Sequence, residues 1–166
     1  MTPNKPSFIN MNNPQIIIRP ACIEDAAAIA RTVAEAIGDE VALNNYCGKD
    51  YLSVLTEISQ AEGTQYSWQH AIVAECEGRV VGSVVGYDGA RLAELREGTF
   101  SVLRNRVGRV PDIADETEAG EHYLDSLSVA PQYQRLGIGR KLIDAFCQRA
   151  FSEGILFFAM RVPPIP

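Results

Sequence analysis

Cysteine and histidine are too few and too scattered in this chain to suggest a zinc centre. The four cysteines, Cys22, Cys47, Cys76 and Cys147, form no CxxC pair, and His70 and His122 stand apart from them. That spacing excludes the usual Cys/His metal patterns and reads as free thiols in a reducing compartment. No apolar run approaches the roughly 20 residues of a membrane span. Residues 1–14 carry one lysine and no apolar signal core, so no secretory address is legible and a cytoplasmic location is expected. Lys and Arg total 15 against 21 Asp and Glu, a net charge of −6, so neither nucleic acid nor an anionic membrane is expected as a bulk-charge partner. No internal repeat is visible.

What remains is ordinary for a folded domain. With 166 residues, 46% apolar and 22% charged, the chain suits one domain with a core that needs no covalent staples. Residues 1–14 read as a loose tail and residues 161–166, with three prolines, as a proline-rich one; the domain spans 15–160. Residues 15–19 read as a first strand ended by Pro20. Apolar residues from Ile23 to Ile37 recur at helical spacing and Gly38 stops them; residues 48–61 give a weaker helical pattern. Residues 70–76 and 79–87 read as a hairpin turning at Glu77-Gly78. Gly82 and Gly86 inside its second strand mark either bulges or the close approach of a ligand or another backbone.

Residues 88–120 form a long insertion. Its first part, 90–109, is helical in character and carries five arginines; its second, 111–121, holds five acidic residues and no basic one. Such a split reads as a solvated face, and an insertion of this length is where substrate-specific loops tend to lie. Residues 121–129 read as a strand, 137–151 as a helix and 155–160 as a short apolar strand.

The chemistry concentrates in Leu127-Ser128-Val129-Ala130-Pro131-Gln132-Tyr133-Gln134-Arg135-Leu136-Gly137-Ile138-Gly139-Arg140-Lys141-Leu142-Ile143. A strand runs into a turn that opens a helix at two glycines. The first helical turn leaves N–H groups unpartnered at the positive end of the helix dipole, and glycines let an anion approach them. Arg135, Arg140 and Lys141 add local positive charge. The dinucleotide fingerprint fails, because Leu142 stands where it needs its third glycine. A Walker loop fails too, because Gly139 is followed by Arg140-Lys141-Leu142.

The spacing Gln134-x-x-Gly137-x-Gly139, after Val129-x-Pro131-x-Tyr133, resembles the acetyl-CoA-binding motif of the GNAT acetyltransferase superfamily, Q/R-x-x-G-x-G/A. The order of elements over residues 15–160 matches in outline, and 123–150 in detail. Tyr87-Asp88-Gly89-Ala90-Arg91 and Tyr123-Leu124-Asp125-Ser126-Leu127 are similar to a bacterial subgroup of these enzymes. The resemblance implies an α/β fold with a mixed sheet and acetyl-CoA as co-substrate, without a metal. It implies that backbone N–H groups of Gln134, Arg135, Leu136, Gly137, Ile138, Gly139 and Arg140 hold the pyrophosphate. The peptide groups of Leu127 and Val129 would pair with the pantetheine arm.

The reaction so implied, attack of an amine on a thioester, needs a base for the amine, a donor for the oxyanion and an acid for the thiolate. Strand alternation places Asp125 and Glu121 on the face of Leu127, where either is a candidate base, acting directly or through water. Asp125 is equally a cap, an ion-pair partner or an anchor for a substrate cation. Tyr87 and Tyr123 are candidate acids or half-buried structural tyrosines. Ser126 is expected on the opposite face, and Cys147 reads as a small apolar filler.

The family usually continues beyond the fifth strand with Asn-x-x-Ala, a tyrosine-bearing helix and two more strands. Six residues follow Met160, so the expected fold lacks its last helix and strands. The apolar strand 155–160 is then expected to be covered by a second copy of the chain, giving a homodimer, or by the proline tail. Two functions lead, ahead of a structural or interaction α/β domain whose glycine turn binds nothing. One is an N-acetyltransferase acting on a primary amine of a small molecule or protein, with the acidic segment 111–121 favouring a cationic acceptor. The other is an acyl-CoA-binding module with little or no turnover.

Overall fold

β-Branched residues drive the first three strands together. In the computed structural model, which describes residues 15–155 and 157–160, Ile16–Pro20 (β1), Ala71–Cys76 (β2) and Arg79–Asp88 (β3) pair antiparallel in sequence order. Glu121–Val129 (β4) adds antiparallel to β3, and Phe157–Ala159 (β5) adds parallel to β4, giving a five-stranded mixed sheet. The hairpin turns at Glu77 and Gly78 with φ of 48° and 75°, the left-handed pair that a two-residue turn requires. The expected tails, 1–14 and 161–166, lie outside the described residues.

Helices cover both faces. Ala26–Ile37 (α1) follows a short 3-10 turn at Ile23–Asp25 and ends at Gly38 with φ of 65°. A helix that the sequence reading missed, Glu40–Cys47 (α2), precedes the weak pattern at 48–61, which corresponds to Tyr51–Gln60 (α3). The pattern hides α2 because that helix buries only Leu43 and Cys47, one turn apart. Its start is signalled by Asp39, whose carboxylate accepts from the amides of Val41 and Ala42. Leu92–Val107 (α4) occupies the first part of the insertion. One core lies on this side of the sheet, with Ile29, Val33, Leu55, Ile58, Val73, Val85 and Leu103.

Ile138–Ser152 (α5) covers the other face. Ile138, Leu142 and Phe146 pack on Ile72, Val84 and Leu124. A smaller cluster of Tyr87, Leu92, Leu95 and Tyr123 closes the end of the sheet.

The two halves of the insertion are bound together rather than facing solvent separately. Arg96 of α4 bridges Asp115 and Glu116, and both Arg96 and Glu116 are largely buried. Both strand glycines combine the two readings the sequence left open that need no ligand. The β3–β4 register shifts at Gly86 and the β2–β3 register shifts opposite Gly82. A methyl group on Gly86 would overlap the Tyr123 carbonyl and the Phe146 ring, and one on Gly82 would meet the Ser128 carbonyl at 2.9 Å.

The strand expected at 155–160 is shorter, and Leu156 lies outside the described residues. Phe157 and Phe158 of β5 are exposed. Among the described residues no helix is long and apolar enough to cross a membrane.

Candidate active site

The turn before α5 presents bare amides. Gly137 precedes the helix with φ of 76°, and Arg135 also takes a left-handed φ of 63°, so successive N–H groups converge. Lys141 is the first amide of this region bonded in helical fashion, to the Gly137 carbonyl at 3.1 Å. Gln134 N–H is bonded to the Pro131 carbonyl at 3.3 Å. Between them, the N–H groups of Arg135, Leu136, Gly137, Ile138, Gly139 and Arg140 find no acceptor among the described residues. A methyl on Gly137 would meet nothing, and one on Gly139 only a Val129 methyl at 4.0 Å. At Gly139 packing within the fold therefore does not demand glycine, whereas open space above the amides suits an incoming anion. Ile138 contributes its amide here while its side chain is buried in the core. Arg140 reaches solvent, 3.9 Å from Asp144. These groups fit a pyrophosphate.

Beside this turn, β4 leaves an edge open. β5 pairs only with Glu121, His122 and Tyr123. From Leu124 to Val129 that edge has no strand neighbour among the described residues, as an extended pantetheine arm would require. At its end the Val129 carbonyl accepts from Gln134 Nε2 at 2.9 Å, so this acceptor is already used until the exposed Gln134 side chain moves.

A bulge corrects the expected faces of β4. Val85 pairs with Ser126 and Gly86 with Leu124, so Asp125 is the extra residue. Leu124 and Leu127 therefore both pack toward α5. Asp125 does not share the face of Leu127, and Ser126 does not oppose Asp125: Asp125 approaches the Tyr87 hydroxyl and Ser126 pairs with Val85, on the α1–α4 side. Strict alternation fails because the bulge inserts one residue without a partner.

That displacement seats the Asp125 carboxyl in a polar cluster. The Tyr87 hydroxyl lies within donating distance of Asp125 Oδ2 and Glu116 Oε1, and accepts from Gln65 Nε2 at 2.9 Å. Gln65 also donates to Glu116 Oε1 at 3.0 Å, and Arg96 pairs with the other oxygen of Glu116. Asp125 keeps some exposure as a residue, but desolvation of its carboxyl, reinforced by the Glu116 charge, pushes its pKa up to about 7. Hydrogen bonds from Tyr87 and Tyr66 oppose the shift without cancelling it. The tyrosines Tyr46, Tyr66 and Tyr87 are all pushed above the usual phenol range, chiefly by burial and secondarily by the Asp125 charge. A carboxyl poised near neutrality can accept a proton and release it again.

The other candidates are more dispersed. Glu121 accepts from the Thr117 hydroxyl at 2.9 Å and lines, with Asp115, Glu116 and Glu118, an acidic groove of about 340 Å³. Tyr123 is buried edge-on against Tyr87, with ring centroids 5.7 Å apart. Cys147 is half-buried on α5 beside Phe151 and Phe158. Gln65 and Tyr66 carry no motif and were not legible as site residues. The buried Arg96–Glu116 pair was hidden in a segment whose charges read as solvated.

A model of the acetyltransferase (GNAT) family matches residues 42–163. A solved structure described as an acetyltransferase is 30% identical, covering 88% of this chain and 80% of its own, with a TM-score of 0.75. An N-acetyltransferase from Staphylococcus aureus Mu50 is 22% identical over 80% of this chain and 75% of its own, with a TM-score of 0.71. The aminoglycoside N-acetyltransferase AAC(6')-Iy, solved in complex with CoA, is 14% identical over 92% of this chain and 80% of its own, with a TM-score of 0.56. The last two likenesses concern the fold alone. No curated protein matches the chain. Because the family model reaches residue 163, the match does not support the shortened C-terminus expected above. The model spans well over half of the sequence: the chain belongs to the acetyltransferase (GNAT) family, whose members acetylate with acetyl-CoA as the donor.

Proposed function

We propose that the chain is an N-acetyltransferase that acetylates a primary amine of a small molecule or protein, with Asp125 as its general base. The observation that carries this is the Asp125 carboxyl, lifted to about 7 at the bulge where the free edge of β4 begins. Acetyl-CoA supplies an activated acyl group. The bare amides of residues 135–140, with Gln134 at their start, hold its pyrophosphate, and the β4 edge at Leu127 and Val129 orients its arm.

Asp125 takes the proton that the attacking amine must lose. The leaving thiolate needs one proton, which returns from Asp125 directly or by way of Tyr123; an acceptor that arrives as an ammonium releases its other proton to solvent before the attack. Glu121 sits in the acidic groove with Asp115, Glu116 and Glu118, which supports a cationic acceptor, a primary ammonium drawn in and then deprotonated. Its role here is to attract the acceptor rather than to remove its proton. The transferase domain spans residues 15–160, with 88–120 as its acceptor-facing insertion.

The test joins calorimetry with CoA to a thiol-release assay across an amine panel. Binding together with amine-dependent thiol release that Asp125→Asn lowers by about 10²-fold or more supports the proposal. Binding without any amine-dependent release leaves the acyl-CoA-binding module and overturns the enzyme.

A further inference from the structure

On the α5 side of the sheet, where α5 ends, lies a polar cavity of about 230 Å³ lined by His70, His122, Arg91, Arg149, Asp88 and Glu153, among others. It shares no residue with the amide turn or the acidic groove.

Its cations are arranged for an anion that the described residues do not supply. Arg149 Nη2 donates to the carbonyls of His70 at 2.8 Å and Gly86 at 3.2 Å. These bonds fix the plane of the guanidinium, while Nε and Nη1 have no acceptor among the described residues. No carboxylate pairs with this half-buried cation there. Glu153 instead lies 3.7 Å from His122 Nδ1, and Asp88 Oδ1 caps the Ala90 amide at 2.9 Å. Burial accordingly disfavours the charged form of Arg149. Arg91 adds a second cation at the mouth, paired directly among the described residues with Glu94 alone, at 2.9 Å.

The histidines complete the pattern. His122 is 1% exposed and, among the described residues, neither ring nitrogen makes a hydrogen bond, Nδ1 facing only Glu153 at 3.7 Å; His70 is 9% exposed and its Nε2 makes none. Three ring nitrogens without a hydrogen bond beside one cavity are unusual, because buried polar atoms are nearly always bonded. Among the described residues no group of His, Cys, Asp and Glu has metal-binding geometry, which turns the reading away from a cation.

We propose that this cavity binds a small oxyanion, a carboxylate or phosphate group, held by a free N–H of the fixed Arg149 guanidinium, with Arg91 at the mouth and the two imidazoles as neutral donors. Both two-pronged faces of the guanidinium include Nη2, which the two carbonyls occupy, so Arg149 offers single N–H groups from Nε or Nη1 to one oxygen of such a group, and Arg91 and the imidazoles are left for the others.

The test uses a convenience of composition: the chain has two histidines and both line the cavity, so every imidazole signal reports on it. Long-range 1H–15N spectra are recorded at constant pH and ionic strength while inorganic phosphate, or in a second arm acetate, is added. The protein is first saturated with CoA, so that phosphate cannot report from the amide turn. A saturable shift of both imidazoles with at least one anion is expected; phosphate alone or acetate alone identifies the class of oxyanion. Arg149→Lys should weaken binding at least about tenfold, because an ammonium cannot keep both carbonyl bonds and still present a fixed N–H to the anion. Arg91→Gln, at a side chain 43% exposed, leaves packing intact and should weaken it at least about threefold. No saturable shift with either anion overturns the proposal, as does binding that both variants leave unchanged.

Discussion

The hydroxyl of Tyr87 stands 3.5 Å from Oδ2 of Asp125, and the same oxygen is 3.4 Å from Oε1 of Glu116. A phenol has one proton to donate, so it satisfies one carboxylate at a time. With Asp125 carrying a pKa of about 7, its ionised fraction should govern the rate. We expect kcat/KM to rise with pH through about 7 and then level. Asp125→Asn should lower kcat by roughly 10²–10⁴-fold, the range typical of a lost general base, while CoA affinity measured by calorimetry stays within about threefold.

The neighbours of Asp125 set the position of that rise, and two of them act in opposite directions. The Glu116 charge pushes the pKa up, and the Tyr87 hydrogen bond pulls it down. Glu116→Gln should therefore shift the limb to lower pH and Tyr87→Phe to higher pH, each by about half a unit to one unit. A purely structural role for either residue predicts lost rate without movement of the limb. Full pH–rate profiles of both variants decide.

A carboxyl kept near neutrality costs stability where it ionises. In the unfolded chain Asp125 titrates near 3.8, in the folded one near 7. The unfolded state therefore releases its proton first, and stability falls as pH rises from about 4 to about 7. Asp125→Asn escapes that loss. It should be more stable than the parent at pH about 8, by on the order of 2 kcal/mol, less than the full shift would give because the residue keeps some exposure. At pH about 4 the advantage should vanish. Urea unfolding at both pH values measures the difference.

The sequence made the secondary structure readable wherever a local signal stood alone. Gly38 ended α1, Glu77-Gly78 turned the hairpin, and the Gln134 to Gly139 spacing marked the amide turn. It misled where pairing between strands decided the outcome. The bulge that turns Asp125 away from the face of Leu127 is a property of the β3–β4 register, with Gly86 the only local hint. The acidic run 111–121 read as solvated because the burial of Glu116 depends on Arg96, twenty residues earlier on another element. Tyr66 and Gln65 join the site through tertiary contacts alone.

His70 should mark the acid limb of stability. Desolvation, with Arg91 and Arg149 nearby, depresses its pKa from 6.5 to about 4. The unfolded chain thus takes up a proton first as pH falls, so stability held above about 6.5 is lost down to about 4. The loss should reach about 3 kcal/mol from this group. An imidazole titration by NMR should give the depressed value directly, and unfolding midpoints across that window should fall in step.

Two glycines separate what the fold needs from what the chemistry needs. A Cβ at Gly86 would overlap the Tyr123 carbonyl and come within 2.7 Å of Phe146 Cζ, between two parts that cannot both retreat. Gly86→Ala should cost roughly 2–4 kcal/mol of stability through overpacking. At Gly139 the same methyl meets only a Val129 carbon at 4.0 Å, an ordinary contact. Gly139→Ala should therefore leave thermal unfolding within about 3 °C of the parent. Placed over the bare amides, its methyl should weaken CoA binding by tenfold or more, a difference of about 1.4 kcal/mol that calorimetry resolves. A stable Gly139→Ala protein that binds CoA as tightly as the parent would remove the amide turn from the cofactor site, because nothing in the packing compensates for that methyl.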